Sequence, residues 1–338
     1  HQLVDPVLQL QAKEPVELAA TARDAETPVS VPMSKPERPA ADTEALPTRR
    51  LVFASRIDNT SNPAAAPVSE TVIAALPLPA AEPVIQPSQT PAWLRHAVAA
   101  NISSDRPKIA VVIDDLGLSQ SRTQATMDLP GPLTMAFLPY AHNLPVQTSK
   151  ARDAGHELLV HIPMQPISDQ QDPGPKALRT DLSDAELLRR LRNALNSFEG
   201  YVGINNHMGS KFTSHTKGMM VILQELKRRD LMFLDSQTSP GSVAADLAES
   251  LGMPNAKRSV FIDHDQDATA VRRSLNQLEV TARHFGTAVG IGHPHRVTID
   301  ALAEWLPGLA ERGFDLVPIS AIAKLRLGTD APSQVASR

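Results

Sequence analysis

Seven of eight short apolar runs in the later part of this sequence end in a group that can titrate or bind a metal. Ile113 is followed by the adjacent carboxylates Asp114 and Asp115, Val160 by His161, and Ile204 by Asn205-Asn206-His207. Further on come Asp235-Ser236, Asp263-His264 and His293-Pro-His295, and an earlier run ends in Pro139-Tyr140-Ala-His142. Side-by-side carboxylates repel, which is tolerated when a cation sits between them or when one acts as a base. The competing role for such a pair is a helix cap followed by an exposed acid. Neutral imidazole and carboxylate suit zinc or another first-row divalent ion, and an Asp-His-His set leaves a position for water. His293 is then a candidate proton donor, and Asn206, Asp235, Ser236, His264 and His295 are candidate substrate contacts. Asp and Ser equally suit turns, and His295 equally suits a loop.

These groups can meet only if the elements carrying them share one face. The apolar runs span 109–113, 133–138, 158–160, 201–204, 231–234, 259–262, 288–291 and 314–319. They are short, rich in β-branched and bulky residues, and not alternating, as parallel strands covered on both faces require. Amphipathic segments lie between them. Ser183-Asp-Ala-Glu186 reads as a capping box opening a helix with Leu187, Leu188, Leu191 and Leu195 on one face. Thr298 similarly precedes Leu302, Leu306 and Leu309, with Gly313 as the expected terminator. Strand and helix alternating over about eight units point to a (β/α) barrel or a doubly wound sheet. In either parallel arrangement the strand C-termini open on one side, where the polar clusters converge.

Composition divides the chain. Of its 29 prolines, 14 lie in the first 100 residues, whereas all 16 glycines lie beyond them. Proline fixes φ and removes an amide donor, so residues 1–106 read as a disordered Pro/Ala-rich linker or tail. Residues 107–327 form the expected domain, and 328–338 a second, short tail. Leu51-Val-Phe53 and Trp93-Leu94 in the first tail are candidate docking points for an envelope protein partner. A net charge of -4 provides no broad cationic field, which argues against nucleic acid as a partner. The absence of cysteine excludes disulfides, thiolate metal sites and a thiol nucleophile. No apolar run reaches the ~18 residues of a membrane span. The first residue is His1 rather than Met, which fits a start trimmed of an export signal or anchor. No dinucleotide, P-loop, Gly-x-Ser-x-Gly or His-Glu-x-x-His motif is present.

Four ordered motifs carry a resemblance. They are Lys108-Ile-Ala-Val-Val-Ile-Asp114-Asp115-Leu-Gly117, Ala154-Gly-His-Glu-Leu-Leu-Val-His161-Ile-Pro-Met164-Gln-Pro166, Gly203-Ile-Asn-Asn-His207-Met-Gly-Ser210 and Gly290-Ile-Gly-His293-Pro-His295. They resemble the divergent polysaccharide deacetylase family, an offshoot of the NodB-like carbohydrate esterases typically exported in Gram-negative bacteria. The resemblance implies a distorted (β/α) barrel, a divalent metal, most commonly zinc, and a periplasmic or otherwise exported location. It implies N-deacetylation of an N-acetylated amino sugar in an envelope polysaccharide such as peptidoglycan. By that resemblance Asp114 is the catalytic base, Asp115 and His161 are metal ligands, and His293 is the general acid. The superfamily's second metal histidine falls four residues after the first, where this chain has Gln165, so His207 is the expected third ligand. The superfamily's Arg-x-Pro-x-Gly segment is not recognisable. That departure sets a second reading beside the enzyme: a degenerate barrel binding glycan or metal in cell-wall remodelling. A third, a phosphoesterase, would need a two-metal site.

Overall fold

The computed structural model describes residues 90–329; the tail expectations over 1–89 and 330–338, including Leu51 and Phe53, lie outside the described residues. Helix α1 (Ala92–Arg95) comes first, followed by β1 (Lys108–Leu116), α2 (Gln120–Met127), β2 (Thr134–Phe137), α3 (Leu144–Asp153) and β3 (Glu157–Met164). Then follow α4 (Asp184–Leu195), β4 (Gly203–Met208), α5 (Thr216–Arg228), β5 (Met232–Asp235), α6 (Ala244–Ser250), β6 (Asn255–Lys257) and β7 (Val260–Phe261). The last elements are α7 (Ala268–Phe285), β8 (Thr287–Gly292), α8 (Arg296–Trp305), β9 (Asp315–Leu316) and α9 (Ile319–Thr329).

All strand pairs are parallel, in the order β6-β5-β4-β3-β2-β1-β8-β7, with β9 paired to the start of β1. The edge strands β6 and β7 do not pair with each other, so the sheet curls into the expected distorted (β/α) barrel, open at one seam. The chain crosses that seam in two residues. The Arg258 amide donates to the Asp235 carbonyl on the β5 side, and the Ser259 amide to Val289 on the β8 side.

Successive residues of a strand face opposite ways, and that parity sorts the core. Ile109, Val111 and Ile113 pack outward against the helices. Ala110 and Val112 turn the other way, joining Leu159, Leu234 and Ile291 around Ile319 and Ile322 of α9 and Trp93 of α1. The small inward residues leave room for α9 and the tryptophan. Every residue of β2, β3 and β5 is buried, which is why these strands read as unbroken apolar runs.

Several expectations are corrected. Residues 90–106, read as linker, belong to the folded unit: Trp93 is buried and its amide donates to the Asp230 carbonyl at 3.0 Å. Val98 donates to Glu157 Oε2 at 3.2 Å and Ser103 to Asp315 Oδ2 at 2.6 Å. The large apolar indole ties this stretch down despite the proline-rich sequence before it. Trp93, a candidate docking point for a partner, is thus docked on its own barrel. At the other end α9 continues past residue 327 to Thr329.

Strand β6 was not anticipated, because Asn255-Ala-Lys257 carries no apolar run. The last run, 314–319, is mostly not strand; only Asp315 and Leu316 pair before α9 begins. Ser183 caps α4 as expected, accepting from the Glu186 amide at 3.3 Å. Glu186, however, bonds Arg189 and Arg190 rather than reaching back, so half the capping box forms. Thr298 is not a cap: α8 starts at Arg296 after His295, and the Thr298 hydroxyl is used elsewhere. Gly313 has the expected positive φ of 87°, in the turns beyond α8 rather than at its end. Among the described residues no helix is long and apolar enough to cross a membrane.

Candidate metal and catalytic site

The site begins with a fault in β1. Register with β2 shifts between Ile113 and Leu116, and Asp115 takes a left-handed φ of 57°. A bulge of this kind lets two consecutive side chains turn toward one side, at a cost of roughly 1–3 kcal/mol for the strained residue. Asp114, of the same parity as Ala110 and Val112, is buried in the barrel, and Asp115 lies above it at the rim. Parity likewise brings His161 from β3, Asn205 and His207 from β4, and His293 after β8 to the open end. Asp114, Asp115 and the three histidines line a cavity of about 660 Å³ at the C-terminal ends of the strands.

Three ligand atoms converge there. Asp115 Oδ1 stands 2.8 Å from His207 Nδ1 and 3.3 Å from His161 Nε2, and the two ring nitrogens are 3.2 Å apart. Although both imidazoles lie within ion-pair range, Asp115 Oδ1 is buried and accepts no hydrogen bond. A buried acceptor without a partner is costly. A divalent cation would satisfy all three donors together, so the residues fit the metal that the motifs imply. His161 is held for this purpose, since its Nδ1 donates to Asn205 Oδ1 at 2.8 Å and leaves the Nε2 lone pair facing the centre. Burial acts to raise the Asp115 carboxyl, but His161 and His207 overcome it and hold the group far below its ordinary value.

Two further groups flank this centre. Asp114 Oδ1 accepts from Asn205 Nδ2 at 2.8 Å, and its Oδ2 lies 3.6 Å from His161 Nε2. Burial pushes the Asp114 carboxyl up, only partly offset by His161 and His293. On the other side, His293 Nδ1 donates to Asp263 Oδ1 at 3.0 Å, and its Nε2 lies 4.0 Å from Asp115 Oδ2. Asp263 Oδ2 accepts from the His293 amide at 2.6 Å and from the Thr298 hydroxyl at 2.7 Å. Burial opposes the charged imidazole, but Asp263, with Asp114 and Asp115, raises His293 to about 9. One cavity therefore holds a raised carboxylate, a raised imidazole and a three-ligand cradle. Such a set can deprotonate water, donate a proton and hold a Lewis acid.

The divergent polysaccharide deacetylase family matches residues 111–323, a span that contains every group just described. The chain belongs to that family. It is 38% identical to the Escherichia coli K12 protein YibQ, described as uncharacterized, over 202 residues, covering 60% of this chain and 63% of YibQ. It is 33% identical to an uncharacterized Haemophilus influenzae protein over 217 residues, covering 64% of this chain and 76% of that one. Among solved structures it is similar to the uncharacterized protein ATU2773 of Agrobacterium tumefaciens, with 28% identity and a TM-score of 0.66. That similarity covers 69% of this chain and 95% of the other.

Within this divergent deacetylase fold the expected residues separate. Asp114, Asp115, His161, His207 and His293 come together. Gln165 turns away: its Oε1 accepts from the Thr180 amide and hydroxyl at 2.9 and 3.0 Å, so the third donor to the cradle comes from β4. Ser236 and His264 line the cavity, and Ser236 Oγ accepts from Asn205 at 3.2 Å.

Two candidate substrate contacts, Asp235 and His295, lie outside the cavity lining, and a third, Asn206, borders it with its amide already bonded. Asp235 faces away, because Leu234 and Ser236 take the inward positions on either side of it. Its carboxylate accepts from the Gln237 amide and the Ser242 hydroxyl, tying down the loop before α6. Asn206 borders the cavity, but its amide is committed to the Ser236 amide and the Met208 carbonyl, which makes it a brace between β4 and β5. His295 precedes α8 and meets Gln266 at 3.1 Å, outside the cavity lining. The glycines of β8 serve packing: a Cβ at Gly290 would meet Leu278 at 2.8 Å, and one at Gly292 would meet Thr298 at 3.2 Å. Asn205 and Asp263 were named in their clusters but given no role, which strand parity could have supplied; Arg258 was missed and carried no signal.

Proposed function

We propose that this protein is a metal-dependent N-deacetylase of amino sugars in an envelope polysaccharide such as peptidoglycan, working outside the cytoplasm. The observation that carries the reading is the buried, unpartnered Asp115 Oδ1 set between His161 Nε2 and His207 Nδ1. Family membership supports the polysaccharide and the amide bond as targets.

Asp115, His161 and His207 would hold the ion, with zinc suited to this carboxylate and imidazole set. When bound, the ion supplies Lewis acidity, polarising the acetyl carbonyl and acidifying water. Asp114, with its carboxyl raised by burial, takes the proton from the attacking water. Asn205 holds Asp114 Oδ1 and the His161 ring in one hydrogen-bonded unit, so base and ligand keep their relative placement. His293, its Nδ1 fixed by Asp263, carries a proton on Nε2 near neutral pH and gives it to the departing amine. Acetate and a free amino sugar are the products.

The test is acetate release from chitooligosaccharides and peptidoglycan fragments, with and without added zinc, alongside metal content by mass spectrometry. Asp115→Ala and His207→Ala should lose both metal and activity. Full metal content in both variants would refute the ligand assignment. No acetate from metal-loaded protein would leave a glycan-binding barrel instead.

A further inference from the structure

We infer that the substrate carries a carboxylate near its N-acetyl group and that Arg258 receives it. The inference rests on the deacetylase reading and narrows it to acidic amino sugars. Arg258 occupies the seam between β6 and β7 and lines the same cavity as the Asp115 cradle. Its Nε donates to the Ser236 carbonyl and one Nη to the Gln237 carbonyl, each at 2.7 Å. The guanidinium carbon stands 5.0 Å from the centre of the Phe261 ring. The side chain is thus fixed on three sides before any ligand arrives.

What it lacks is an acid. No carboxylate of the described residues comes within 4.0 Å of it, although Asp235 and Asp114 lie near enough to be felt. Asp235 is committed to Gln237 and Ser242, and Asp114 to Asn205. The guanidinium's Nη1 makes no hydrogen bond to the described residues, and it is not among the buried atoms left without partners. It therefore has donors left to use, on a residue that lines the cavity.

An arginine needed only to close the seam would satisfy that role with Nε and one Nη. Here a planar, preorganised fork keeps free donors on a residue that lines a substrate cavity, the chemistry suited to a carboxylate. Phe261 extends the same wall toward the chemistry: its ring centre is 5.5 Å from those of His264 and His293. A group bound at Arg258 therefore lies along the wall leading to the proton donor. A sugar with a carboxylate on a short ether arm, or a uronate neighbouring the N-acetyl sugar, has that chemistry.

The test uses the zinc-loaded full chain and a pair of ligands differing in charge and one methyl group: N-acetylmuramic acid and its methyl ester. Binding is followed by ligand-observed NMR, so it reports whether or not acetate is released. The acid should bind at least tenfold more tightly than the ester. That ratio should fall toward one in Arg258→Gln and be partly kept in Arg258→Lys. In the unaltered protein, raising salt from about 50 to 500 mM should weaken the acid more than the ester, which tests the charge without any substitution. A ratio near one in the unaltered protein, an unchanged ratio in Arg258→Gln, or no binding of either ligand would overturn the inference. Acid-selective binding without acetate release would instead retain Arg258's role and refute the deacetylase reading.

Discussion

The two ends of this barrel both bury charge, and they use it differently. At the N-terminal ends of the strands Glu157 accepts from the Ser320 amide and hydroxyl and from the Val98 amide, leaving neither oxygen idle. Asp315 accepts from the Ser103 amide and hydroxyl, and Lys108 Nζ donates to the carbonyls of Ser103 and Arg106. These ionisable groups fasten the segment before β1 and helix α9 to the sheet. At the C-terminal ends, among the described residues, Asp115 Oδ1 has no hydrogen bond and Arg258 Nη1 has no acceptor. Burial and shifted titration occur at both ends, so neither identifies the site. Unspent bonding capacity does.

The contrast can be broken most directly at Asp115. Asp115→Ala should remove bound metal and activity while melting near the unaltered protein, because it deletes an unsatisfied buried oxygen; a large stability loss would make Asp115 structural. His293→Ala and Asp114→Asn should retain metal and lose about 10²–10⁴-fold in deacetylation rate, measured as acetate release at saturating substrate. Retained rates would remove these residues from the reaction.

At the opposite end, Trp93→Ala should cost about 3–5 kcal/mol by denaturant unfolding and leave metal content intact. Loss of metal with little loss of stability would erase the division between the two ends. The smallest effect is expected at Glu157. Burial raises its carboxyl to about 7, partly offset by its hydrogen bonds, so the folded form holds the proton more tightly than the unfolded chain. Its stabilising contribution is complete below the ordinary value of about 4.5 and lost as pH rises through 7. Glu157→Gln should therefore flatten the decline in stability between those values, read from melting temperature against pH.

The strand and helix alternation was legible because buried parallel strands need unbroken runs of branched residues. β6 was not, since it makes only a few sheet contacts and contains a charged residue, and β9 is shorter than the run 314–319 that contains it. The cradle and its flanking groups were legible because a parallel sheet sends every strand C-terminus the same way. Asp235 was misread for a related reason: it closes an apolar run as His161 does, but one residue of parity turns it outward. His161 and Gln165 belong to one motif, yet Gln165 lies beyond the strand and bonds Thr180.

Residue types and their order thus determine which atoms are available: carboxylates, imidazoles and apolar runs able to form strands. Tertiary structure decides which of those atoms are left without partners. Hydrogen bonds consume Asp235 within its own loop, and Asp263 and Glu157 through segments remote in sequence, whereas the bulge in β1 leaves Asp115 Oδ1 facing two imidazoles. Bonding capacity is a property of the whole neighbourhood, and that neighbourhood exists only after the sheet has curled.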